Sequence, residues 1–99
     1  MPFPGAEGEA QELQRRLEDL LGHDAATVRP YGQHLLIDVG ADETTYTVAR
    51  FTRLGPRRYG LAFRRHTGRW EPLPVDGTLE EVADSAVELL APYFELENY

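Results

Sequence analysis

The chain has 99 residues with no cysteine and no lysine, and its 10 arginines set against 17 acids leave a net charge of −7. That length suits one domain with its own core, and the missing thiols exclude disulfides, thiolate zinc sites and cysteine nucleophiles. The acidic total counts against generic duplex binding, which goes with a basic domain, and no apolar run is long enough for a membrane-spanning helix.

Residues 1–6, with Pro2, Pro4 and Gly5, read as a flexible N-terminal lead. They show no basic stretch followed by an apolar one, so no secretory signal is expected and the expected location is cytoplasmic. From Glu7 to Leu21, Ala10, Leu13, Leu17, Leu20 and Leu21 recur at three- and four-residue steps. This is the stripe of an amphipathic helix, with Gly22 where a left-handed cap belongs.

The period then changes. "TVRPY", "HLLIDV", "TTYTVARFTR", "RYGLAFRRH" and "RWEPL" are separated by turn-forming residues. That spacing predicts an antiparallel meander of four or five strands. Pro30 pushes the first strand to a sheet edge, because it has no N–H to donate. "DGTLEE" announces the last helix: Thr78 and Glu81 form a capping box. Leu79, Val82, Ala83, Ala86, Leu89 and Leu90 supply its apolar face, and Pro92 ends or kinks it.

The expected fold is therefore α+β: helix, four- to five-stranded antiparallel meander, helix, with both helices on one face of the sheet. A single domain spans 7–94, and residues 95–99 form an acidic C-terminal tail. The element order resembles that of several small bacterial protein families, including secretion-chaperone-like ones. The likeness is one of architecture, carried by no residue motif, and transfers no function or site.

Turn lengths give a working register. A four-residue "GADE" loop opposes Ile37 to Tyr46, a four-residue "LGPR" loop opposes Val48 to Phe63, and a two-residue "TG" loop opposes Arg65 to Trp70. One face then collects Leu35, Ile37, Val39, Tyr46, Val48, Tyr59, Leu61, Phe63 and Trp70, and is the expected core. The other collects His34, Leu36, Asp38, Thr45, Thr47, Ala49, Phe51, Gly60, Ala62, Arg64, His66, Arg69 and Glu71. Two arginines fit badly: Arg50 falls on the core face opposite Leu61, and Arg53 opposes Arg58.

Charge is unevenly distributed. Residues 50–69 carry seven arginines and no acid, whereas residues 70–99 carry eight acids and no arginine. A guanidinium fork bonds oxyanions bidentately, so the ribbon is a candidate anion contact. Its competing role is to keep sheet edges soluble and to pair with nearby acids. His34, His66, Asp38 and Glu71 share the expected open face, but their spacing matches no metal-ligand motif. The single serine, Ser85, lies within the predicted second helix and outside any nucleophile motif.

The reading is a small non-catalytic protein-interaction module: adaptor, chaperone-like or regulatory. It uses no metal and no cofactor, and it contacts no membrane. Its partner is another protein or a second copy of itself, bound through the open sheet face. The alternative is an RNA or single-stranded DNA contact through the arginine-rich hairpin 50–69. The candidate binding residues are Phe51, Arg57, Arg58, Arg64, His66 and Arg69.

Overall fold

The computed structural model describes residues 2–41, 44–65 and 67–94. The chain runs α1 (Ala6–Leu21), β1 (Ala26–Tyr31), β2 (His34–Ala41), β3 (Thr44–Gly55), β4 (Arg58–Arg64), β5 (Trp70–Gly77), α2 (Leu79–Leu89) and α3 (Ala91–Phe94). The five strands form one antiparallel sheet in sequence order. This is the expected α+β meander between helices. Ala10, Leu13 and Leu17 of α1 and Val82, Ala83 and Ala86 of α2 join Leu35, Ile37, Val39, Phe51, Tyr59 and Leu61 in one core.

Local chemistry sets the helix ends. Gly22 adopts φ 79° and donates its N–H to Glu18 O at 2.8 Å, closing α1 in a conformation that glycine takes without steric cost. At α2 the capping box is complete: Glu81 N–H donates to Thr78 Oγ1 at 3.2 Å, and Thr78 N–H to Glu81 Oε1 at 3.0 Å. Gly77, at φ 156°, is part of this device, because a Cβ there would collide with Glu81 Oε1. Pro92 lies in the first turn of α3, where its missing N–H has no helical acceptor, and Phe94 returns to the core with no exposure.

One residue of the N-terminal segment belongs to the core. Phe3 is buried, its ring centroid 6.3 Å from that of Tyr59, and Arg53 stands 5.1 Å over the Phe3 ring. Phe3 is therefore a core residue.

The strand register departs from expectation at three connections. Ala41 pairs with Thr44, so two residues rather than four join β2 to β3. Pairing then jumps from Asp38↔Thr47 to Ile37↔Ala49, which makes Val48 an extra residue on β3. Gly55 pairs with Arg58, leaving Pro56 and Arg57 as a two-residue turn in which Arg57 takes φ 59°, and Leu54 is extra. At the last hairpin Arg64, not Arg65, opposes Trp70, because Arg65 N–H donates to Arg69 O and Gly68 N–H to Arg65 O, each at 2.8 Å.

A one-residue slip moves every side chain to the opposite face. Phe51 and Ala49 consequently belong to the core, both with no exposure, and Phe51 lies 6.1 Å from Tyr59 between ring centroids. Arg50 moves to the open face opposite Ala62, Trp70 joins it there, and Glu71 crosses to the side of Phe63. Tyr46 opposes buried Val39 but stands 64 % exposed towards the end of the sheet, so it is no core residue.

Candidate interaction surface

With both helices on one side, the opposite face of the sheet has no covering layer among the described residues. Its floor is made small by sequence: Gly60 and Ala62 of β4 stand where larger side chains would fill the surface. Leu54, the second extra residue of β3, lies beside Gly60, whose hypothetical Cβ would come 3.4 Å from Leu54 Cδ1. Leu54 is 55 % exposed. Together with Arg50 and Thr52 on one side and Pro72, Pro74 and Asp76 on the other, these residues line a shallow groove of about 440 Å³.

The same face carries a line of polar pairs. Arg29 Nε donates to Asp38 Oδ2 at 2.7 Å, and Thr47 Oγ1 donates to Asp38 Oδ1 at 2.5 Å, so the one buried carboxylate among the described residues is satisfied twice. His34 Nδ1 is 2.9 Å from Thr52 Oγ1. Partial burial and, secondarily, the Arg50 guanidinium push the His34 pKa below its ordinary value. Arg50 lies 4.5 Å over the Trp70 ring, and its Nε is buried with no hydrogen-bond partner among the described residues.

Neither edge of the sheet suits strand addition. On β1, Val28 N–H donates to Gln14 Oε1 of α1 at 3.0 Å, and Pro30, the next residue with that orientation, has no N–H. On β5, Pro72 and Pro74 likewise have none to offer. Proline on an outer strand and a capped N–H leave few donors for an incoming chain. The edges are closed, and the face is open.

The arginine ribbon is divided between several tasks. Arg58 pairs with Asp76 and Arg65 with Glu71, each at 2.8 Å and each half-exposed. Arg50 and Arg53 lie over aromatic rings on opposite faces. Arg57, Arg64 and Arg69 are exposed, with no ion pair among the described residues. Of the expected binding residues, the structure thus brings Arg64 to the open face and Arg58 to the rim of the groove through Asp76. Arg57 and Arg69 lie in the hairpin turns. Phe51 is removed to the core by the register change, and His66 lies outside the described residues.

Sequence reasoning missed Arg50, Trp70, Leu54 and the two prolines of β5. A signal was present. An arginine assigned to a core face, as Arg50 was by the working register, conflicts with the cost of burying charge and points to a slipped strand. "EPLP" similarly marks an outer strand. The suggested grouping of His34, Asp38, His66 and Glu71 does not form among the described residues. Asp38 is bonded to Arg29 and Thr47, Glu71 is bonded to Arg65, and no cluster of three or more potential metal ligands occurs there.

Charge also sorts by layer. Helices α1 and α2 contain nine acids and two arginines, whereas residues 26–77 contain eight arginines and five acids. Arg16 of α1 and Asp84 of α2 join the helices at 2.8 Å. No helix among the described residues is long and apolar enough to cross a membrane. No protein-family model, curated protein or solved structure matches the chain.

Proposed function

We propose that this protein is a small non-catalytic interaction module that docks a partner protein on its open sheet face. The observation that supports this best is the apolar groove over Gly60 and Ala62, lying opposite the helices and between two closed edges. Exposed apolar surface of this kind, rimmed by charge, is characteristic of interaction sites. The same surface serves for a second copy of the chain, provided that copy brings a complementary face.

A photo-crosslinking residue placed at Thr52, in the groove, tests this against one placed at Glu88, on the exposed side of α2. Adducts formed from position 52 and lost on adding Gly60→Val support the reading. Adducts formed only from position 88 overturn it. Sedimentation velocity over a rising concentration series separates self-association from binding of another protein.

Contact with RNA or single-stranded DNA is the second reading, favoured by exposed Arg64 and Arg69 near one hairpin. Single-strand binding couples such charge to aromatic stacking. Phe51 and Tyr59, the rings that would have served, are both fully buried. The protein reading is therefore preferred.

A further inference from the structure

The groove has a polarity along its length. At one end Arg50 is held over Trp70, and Arg64 stands across the ladder from the same ring. No carboxylate among the described residues is ion-paired with either arginine. At the other end the charge of Asp76 is matched by Arg58 at 2.8 Å. Between them lie Gly60, Ala62, Leu54, Pro72 and Pro74. The unmatched charge of the groove is thus positive and confined to one end.

We propose that this groove takes an extended acidic segment of another protein, seated with an apolar side chain over Gly60 and Ala62 and a carboxylate on Arg50. The proposal rests on the face-docking reading above. Charge complementarity decides the occupant. An arginine held half-buried over a ring is already ordered and partly desolvated, so its fork engages a carboxylate at a reduced entropic cost.

Dimensions agree with one extended chain. Two inter-strand spacings separate β3 from β5, or about 10 Å, and Gly60 and Ala62 are about 7 Å apart along β4. A ligand with an acid and an apolar residue two positions apart presents both on one side at that spacing. With the edges closed, recognition falls to side chains rather than to main-chain pairing. A second copy packed face to face would bring two sets of Arg50 and Arg64 together, which opposes association. Nucleic acid would meet a Trp70 ring already covered by Arg50.

The experiment is a fluorescence titration of the whole chain, whose single tryptophan is Trp70. Three probes are compared: a peptide repeating Glu-Ser-Leu-Ser, the same peptide with Lys for Glu, and an oligouridylate RNA. The glutamate peptide alone should give a saturable change that weakens with added salt. Arg50→Gln should weaken it about tenfold, the effect of losing one charge-assisted contact. Gly60→Val should also abolish or weaken it, because it fills the floor where only the movable end of Leu54 is near.

Urea midpoints close to wild type for both variants establish that the fold survives, and Arg50→Gln carries the test if Gly60→Val does not. Equal binding of the lysine peptide, or glutamate-peptide binding unchanged by Arg50→Gln, overturns the acidic assignment and leaves face docking intact. Binding of the RNA alone overturns both. Absence of any response at millimolar peptide also overturns the acidic assignment, and cross-linking from position 52 then judges the face reading separately.

Discussion

Arg50 and Arg53 lie three residues apart on β3 and make the same kind of contact on opposite faces of the sheet. Arg53 lies over Phe3 on the helix side, and Arg50 lies over Trp70 on the open side. Each has a buried Nε without a hydrogen-bond partner among the described residues. The surroundings differ. Arg53 sits next to Phe3 and Tyr59, which belong to one aromatic cluster with Phe51, so its aliphatic stem helps to close the core. Arg50 sits at the end of a groove that no element among the described residues covers. One arginine completes the interior, and the other is left available. An arginine-rich ribbon therefore has no single role, and each member takes its role from the face to which the ladder assigns it.

Substitution at Phe51 tests that division most severely. Phe51→Ala should cost about 3–5 kcal/mol, the usual loss for emptying a buried aromatic site. Leu54→Ala, on the open side and 55 % exposed, should change stability by less than about 0.5 kcal/mol. Equilibrium urea unfolding of both variants measures the contrast. Equal losses would mean that the open face is itself covered in solution.

A smaller effect is expected where α2 is fastened beside the core. Thr78→Ala removes the acceptor for Glu81 N–H and should cost about 1 kcal/mol. Its effect on urea midpoint should be matched by little change in any property of the open face. A parallel loss of peptide affinity would show that the two sides are coupled.

The smallest effect concerns His34, which belongs to the open side. Its pKa is lowered in the folded state, by burial first and then by Arg50. The unfolded chain therefore takes up the proton more readily. This group's contribution to stability is complete above the unfolded value of about 6.5. It is lost as pH falls through that value and then through the lower folded one. His34→Gln should flatten the slope of urea midpoint against pH between about pH 7.5 and pH 5. An unchanged slope would assign the pH dependence to the carboxylates.

The sequence alone determined the kinds of element and their order. The three- and four-residue spacing of Ala10, Leu13 and Leu17 is enough to place α1. Thr78 and Glu81 are enough to start α2, because capping is satisfied within four residues. Strand positions followed from turn residues, and Leu36, Gly60 and Ala62 were placed on the correct face. The tertiary structure decided which side of β3 faces the core. Its two tight turns and the extra residues Val48 and Leu54 set the register, and period-two alternation reads equally well in either phase. Burial of Phe51 and Ala49 under α1 and α2 selects the phase that keeps Arg50 out of the interior. That choice, made by packing across the sheet, brought Arg50 to the face on which the last hairpin sets Trp70 and moved Phe51 away from the surface.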